Sequence, residues 1–342
     1  MRKRGYVFGG AAAIVIAAAG AAIAWFHPRL NLPFARTTCD TAVPSYWPDT
    51  ELAQAALRFV KEIVAGDADA AYAELTADSR TATRPAKLRR SMHDIVAPAG
   101  PLSDVHLTEM YRINVAFGPQ RNQVMCANSM LPEDRIAVTV TSAAKQAYVV
   151  VEAHAKTMDW TFILWFVHEQ EWRVQAINVG PTKLGGRSAE DTWQQARGER
   201  NRNHAFNATI LYNVAIQLAD RGPNFHLTLQ QRIRDELAKL AAPRELQGSM
   251  PLTWHFAGPD HYKIAWIGAT AFDDKIYLSI VQMMEPWPTD QDADRRNRRL
   301  IADLGSAFPE YASAFAGVTV TARDAGGSHL LQTAVPPVAA AQ

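Results

Sequence analysis

The sequence predicts an α+β protein: two folded regions behind one N-terminal segment directed at a membrane. Three observations lead to that class. Residues 5–26 carry no charged side chain and follow the basic run Arg2, Lys3 and Arg4. Between residue 49 and Pro98 the apolar residues recur at three and four, and beyond Pro98 the period drops to two. From Ala189 the helical period returns, and alternation resumes near residue 252. Helices gathered ahead of strands, instead of alternating with them one by one, are the α+β order.

The chain has 342 residues, which is room for about two domains at roughly 100–200 residues each. Hydrophobic residues make up 48% and charged residues 20%, values of an ordinary globular chain that exclude wholesale disorder. The formal net charge is +1, and it turns negative once the three leading basic residues are set aside. Such a body has no electrostatic footprint for nucleic acid. There is no phosphate-cradling glycine loop, no nucleophile elbow and no paired-histidine protease motif, so no cofactor is expected.

Taken in order, residues 1–4 read as a cytoplasmic basic tail and residues 5–26 as a transmembrane anchor. About 20 apolar residues span a bilayer as a helix. The basic flank should stay inside and send the rest outward, with Trp25 and Phe26 at the interface. The expected address is therefore the inner membrane, single-pass, with the bulk in the periplasm. Ala22, Ile23 and Ala24 also fit a small-x-small cleavage pattern, so secretion after signal removal is the alternative. Residues 27–48, with Pro28, Pro33, Pro44 and Pro48, read as an extended linker. The two cysteines, Cys39 and Cys126, cannot build a zinc cage by themselves. In an oxidising compartment they would close one disulfide, and otherwise they are free thiols.

Residues 49–182 form the first region. A helix to Ala65 carries Leu52, Ala55, Ala56, Phe59 and Ile63 on one face. Gly66 stops it and Asp67 caps a short successor containing Tyr72. Pro85 starts a third helix with Leu88, Met92 and Ile95 as its stripe. Strands follow at 104–117, 123–128, 135–141, 146–155, 160–168 and 171–179, the last two joined by a turn at Glu169 and Gln170. Apolar residues occupy both faces of that hairpin, so both faces need a cover. The helices supply one cover. The other is the second region of the chain or a second copy of it.

This stretch resembles the nuclear-transport-factor-two-like superfamily of cone-shaped domains. The resemblance is carried by the segment from Leu57 to Thr76, which reads helix, Gly66-Asp67, helix, and by the closing strand from Glu171 to Asn178. It implies three helices against a twisted antiparallel sheet, with a pocket between them. It also implies a spread of functions: isomerases, dehydratases, binding modules and assembly subunits of secretion machines. A bitopic inner-membrane factor of type IV secretion systems shares the order of anchor then cone, but it ends after the cone, whereas this chain continues. On the implied fold, Tyr72, His93 and Asp94 are the ligand-binding candidates at the pocket. Glu152 and His154 share a strand face, and a carboxylate beside an imidazole can tune a general base. A solvated strand pair is the other explanation of these two.

Residues 187–335 form the second region, a helical hairpin and a small antiparallel sheet. Ala189–Ala219 reads as one helix, Gly222 and Pro223 break the chain, and Leu229 to Leu240 mark a second helix. Strands at 252–257, 261–270 and 275–283, a helix near 291–305 and a strand near 317–323 complete it, and 336–342 is a disordered tail. His255 and His261 flank Asp260, but no third ligand at metal spacing is evident, so no metal site is expected. Arg295, Arg296, Arg298 and Arg299 follow Asp290, Asp292 and Asp294, the pattern of a solvated helix face. The function expected from all this is a membrane-anchored extracytoplasmic module, non-catalytic, that binds a protein partner, itself or a small apolar ligand. The alternatives are an enzyme using Glu152 and His154, or a secretion-assembly subunit.

Overall fold

The computed structural model describes residues 37–42, 50–115, 123–127, 135–143, 145–155, 158–256, 260–272 and 274–336. The expected anchor, the basic tail before it, most of the linker and all but the first residue of the C-terminal tail lie outside them. Among the described residues no helix is long and apolar enough to cross a membrane. The architecture is α+β. The chain divides into two compact units: one runs to Thr182 and also takes Ala219–Gln231, and the other holds Lys183–Leu218 and everything from Arg232 on. The second unit is thus interrupted, where the sequence pattern implied a continuous region.

In the first unit, β1 (Thr38–Ala42) comes out of the stretch read as linker. Its five residues have no apolar alternation, and only pairing with a neighbour makes them a strand. α1 (Thr50–Ala65) buries the expected stripe of Leu52, Ala55, Ala56, Phe59 and Ile63. Gly66 ends it at φ +76°, a conformation that glycine adopts without a Cβ clash. Asp67 then accepts a hydrogen bond from the Ala70 amide at 3.0 Å and starts α2 (Ala68–Ala73). A further helix, α3 (Ala77–Ala82), carries no apolar stripe and was not legible. It is held by polar contacts: Thr76 caps it, and Ser79 Oγ donates to the Gln175 carbonyl at 2.6 Å. α4 (Pro85–Ala99) buries Leu88 and Met92.

The strands are β2 (Ser103–Asn114), β3 (Gln123–Ala127), β4 (Arg135–Thr139), β5 (Lys145–Ala155), β6 (Met158–His168) and β7 (Trp172–Leu184). Three residues, not two, separate β6 from β7. β8 (Arg187–Ser188) turns back on the end of β7, and the sheet order is β1-β2-β5-β6-β7-β8.

The helix of the second unit read as one piece is two: α5 (Ala189–Asn201) and α6 (Ala205–Leu218). The break at Asn203, φ +62°, is stabilised by Glu199, a fully buried carboxylate. It accepts hydrogen bonds from Asn207 Nδ2 at 3.0 Å and Ser313 Oγ at 3.1 Å, and it pairs with His204 at 2.7 Å and with Arg202. A buried charge without those partners would cost several kcal/mol. The hairpin expected between Ala189–Ala219 and Leu229–Leu240 is thus replaced by one between α5 and α6, inside the stretch read as a single helix.

β9 (Phe225–Leu227) and α7 (Thr228–Leu237) follow. β9 adds to β4, so the small sheet β3-β4-β9 contains a strand from far along the chain. This sheet is the second cover of the large one. Tyr111, Tyr148, Ile163, Trp165 and Ala176 of the large sheet pack with Ile136, Val138 and Phe225 of the small one. Cys39 of β1 and Cys126 of β3 form a disulfide across 87 residues, with Cα atoms 5.5 Å apart.

The second unit ends in a five-stranded sheet of β10 (Leu252–His255), β11 (His261–Phe272), β12 (Lys275–Met283), and, beyond α8 (Asp290–Ala307) and α9 (Tyr311–Ala314), β13 (Val318–Arg323) and β14 (Leu330–Val335). β12 and β13 are parallel, where a purely antiparallel sheet was expected. The α8 crossover permits it, since parallel strands need a long connection. The arginines on α8 are paired: Arg295 with Asp292, Arg298 with Asp294, Arg299 with Asp260, and Arg296 donates to the His261 carbonyl.

Candidate functional site at one end of the sheet

Alternation along β5 puts Tyr148, Val150, Glu152 and His154 on one face, the face covered by the small sheet. Tyr148 and Val150 are buried there, and Glu152 and His154, nearer the strand end, are half-buried. The face is filled from within. Tyr148 stacks on Trp165 at 5.5 Å, and Phe225 meets Tyr148 and Tyr111 at 5.6 Å each. The Tyr148 hydroxyl donates to the Thr139 carbonyl at 2.7 Å, and burial pushes its acidity well below that of a free phenol. Gly222 lets residues 219–231 close down on β7, since a Cβ there would overlap the Asn178 side chain. The space left between Tyr148, Trp165, Asn178, Arg221 and Phe225 is about 10 Å³, room for at most one water.

The three pocket candidates are not brought there. Tyr72 donates to the Arg80 carbonyl at 3.1 Å and ties α2 to α3. His93 and Asp94 lie on α4 with side chains 78% and 54% exposed. None of them lines that cavity. These three residues do not converge on an apolar pocket with polar groups, and the aromatics fill the other face of the sheet, the one under the small sheet.

What the structure does assemble is a histidine cluster beside Glu152. His154 faces Asp159 across the β5–β6 turn, and its Nδ1 is 2.6 Å from Asp159 Oδ1. On its other side, β2 is irregular between Ser103 and His106, and Asp104 sits at φ +50°. Aspartate is one of the few residues that take this conformation readily. The kink brings Asp104 Oδ2 to 3.3 Å from His154 Nε2 and 3.8 Å from His106 Nδ1. His106 Nδ1 also lies 2.7 Å from the Asp104 carbonyl oxygen. One nitrogen or oxygen from each of Asp104, His106 and His154 falls within 4.8 Å of the other two. Glu152 stands opposite His106 in register. Burial draws the Arg221 guanidinium below its usual range, and the carboxylates of Glu152, Asp220 and Glu109 pull it back up.

Sequence reading singled out His154 but missed Asp104 and His106, which start a strand 48 or more residues earlier. Only the β2–β5 register and the kink at Asp104 unite them. His255 and His261, in contrast, are direct cross-strand partners with Nδ1 atoms 2.9 Å apart, but Asp260 turns to Arg299 at 2.6 Å. His204 belongs to the Glu199 network, and His226 pairs with Ala137 in the small sheet. Compared with protein-family models, with curated proteins and with solved structures, the chain matches none of them significantly.

Proposed function

We propose that this chain is a membrane-tethered extracytoplasmic interaction module, with a first unit of nuclear-transport-factor-two-like architecture. The observation that carries the reading is that Tyr72, His93 and Asp94 do not converge: Tyr72 is tied to the Arg80 carbonyl, the other two are exposed on α4, and Phe225, Tyr148 and Trp165 fill the sheet face away from the helices. On that face the remaining space of about 10 Å³ is far below the several hundred Å³ of a small-molecule site, and the larger hollow of about 610 Å³ along α1 is an open surface lined by Arg58, Lys61 and Glu62 and not an apolar pocket. A protein partner or a second copy is therefore favoured over a small apolar ligand. Glu152 and His154 as catalytic acid and base are disfavoured because the groups gathered beside them, Asp104, His106 and Asp159, are arranged around His154 and not around a second reacting position. The Cys39–Cys126 disulfide supports an oxidising compartment. The uncharged run behind Arg2, Lys3 and Arg4 supports delivery there.

The test uses the full chain in its native membranes. A C-terminal reporter active only outside the cytosol should be active, and in-membrane crosslinking should recover a defined adduct, either a homodimer or one stoichiometric partner. A cytosolic C-terminus removes the address. An uncrosslinked monomer that retains a small molecule in native mass spectrometry would replace the interaction reading with a ligand-binding one.

A further inference from the structure

We propose that Asp104, His106 and His154 form a binding site for a divalent transition-metal ion of the zinc class, with Asp159 orienting His154. The proposal goes beyond the interaction reading and does not depend on it.

The donor set comes first. Two imidazoles and a carboxylate are the ligands that borderline ions such as Zn²⁺ take, and three protein ligands leave a fourth position open. Metal–ligand bonds of about 2.1 Å set tetrahedral ligand atoms about 3.4 Å apart. Asp104 Oδ2 stands 3.3 Å from His154 Nε2 and 3.8 Å from His106 Nδ1. One donor atom of each residue lies within 4.8 Å of the other two, and binding requires the His106 ring to turn, since its Nδ1 now donates to the Asp104 carbonyl at 2.7 Å.

The second argument is orientation. Asp159 Oδ1 lies 2.6 Å from His154 Nδ1 and takes up that N–H. This leaves Nε2, the nitrogen facing Asp104, with its lone pair free. A carboxylate behind a ligating histidine is the usual outer partner of a metal site, fixing the tautomer and raising ligand basicity. The rest of Asp159 is anchored too, because the Thr182 hydroxyl donates to its carbonyl at 3.3 Å.

The third is the backbone. The ladder between β2 and β5 is regular over Met110–Asn114 and loses register twice before it. At the first irregularity Asp104 adopts a left-handed conformation that aims its carboxylate between the two imidazoles. Irregularities of this kind re-aim side chains at sheet ends. An exposed Asp–His pair by itself contributes little to stability, so ion pairing is a weak reason to keep that kink. Asp104 is exposed and both histidines are half-buried, which leaves the fourth ligand position to water or to a side chain of a bound partner. The His255–His261 pair, with Asp260 engaged by Arg299, offers only two donors.

The experiment uses the full chain without a histidine tag, solubilised in detergent, stripped with a chelator and titrated with Zn²⁺ by calorimetry and with Co²⁺ by visible absorption. The expected result is one ion per chain and the intense visible bands of low-coordinate Co²⁺. His106→Ala and His154→Ala should each weaken binding at least about 100-fold. Asp159→Asn should weaken it about 10- to 100-fold with the stoichiometry unchanged. Asp104→Asn, which keeps the left-handed backbone, tests the carboxylate without disturbing the fold. His255→Ala with His261→Ala should leave the titration unaltered. Absence of binding by the unmodified chain overturns the proposal, and so does binding that survives loss of His106 and His154 or that disappears with His255 and His261.

Discussion

Replacing Phe225 by alanine tests whether the inner face of the sheet is a packed core. Phe225 is 3% exposed and sits between Tyr111 and Tyr148, with ring centroids 5.6 Å from each. A buried Phe→Ala change costs about 3–5 kcal/mol, of which aromatic pairing contributes about 0.5–1.5 kcal/mol per pair. The upper half of that range is expected here, because the ring has two aromatic neighbours and the 10 Å³ of existing space offers no slack to collapse into. The fluorescence of Trp165, which stacks on Tyr148, reports the loss during urea unfolding of the full chain. Phe225→Leu, which keeps most of the volume, should cost only about 1–1.5 kcal/mol. The alanine variant should also gain a cavity able to bind a small apolar probe such as benzene. A cost below about 1 kcal/mol, with no probe uptake, would mean that residues 219–231 do not seal this face. That face would then be open to a ligand or a partner.

Glu236 accepts hydrogen bonds from Arg197, Tyr212 and Trp193. The Arg197 contact, chiefly, holds its carboxyl down at about 2 against burial. A depressed acid stabilises the fold above its unfolded value of 4.5 and loses that contribution as pH falls toward 2. The full shift discounted for solvent screening leaves about 1–2 kcal/mol, so Glu236→Gln should lower the urea midpoint at pH 7, by a margin that narrows through that acid window. Glu62 has the opposite sign. Burial, with help from Glu74 and Asp67, pushes its carboxyl up to about 6, and one oxygen is buried without a hydrogen-bond partner among the described residues. Its ionised form is a liability above that value, so Glu62→Gln should raise stability by about 1 kcal/mol at pH 7.5 and leave it unchanged at pH 4, again read from urea midpoints. Serine at Cys39 and Cys126 opens an 87-residue loop, for which loop-closure entropy gives about 4–5 kcal/mol. A thermal scan should show the loss as a lower midpoint, equal in the double variant and in the reduced chain. A reduced chain as stable as the oxidised one would contradict the estimate.

Local features were legible in the sequence because local rules decide them. The stripe from Leu52 to Ile63 needs only helical spacing, and Gly66 followed by Asp67 stops one helix and caps the next through bonds within a few residues. The same holds for the strands from β5 to β7 and from β10 to β13, whose existence follows from period and composition even where their ends moved by a few residues. Features without a local signature were missed. The strand at Thr38–Ala42 has no alternation, α3 is held by Gln175 some hundred positions away, and the division of α5 from α6 depends on what surrounds Glu199.

The sequence by itself determined the α+β class, the main helical stripes, and the need for a cover on both faces of the central strands. Tertiary structure alone decided what that cover is and where the chemistry lies. Phe225 returns to the first unit from beyond α6, and Asp104, His106, His154 and Asp159 meet through strand register and one left-handed residue. Period and propensity act over a few residues, whereas register is set by which strand ends up beside which. A one-residue slip would turn the same side chains to the opposite face.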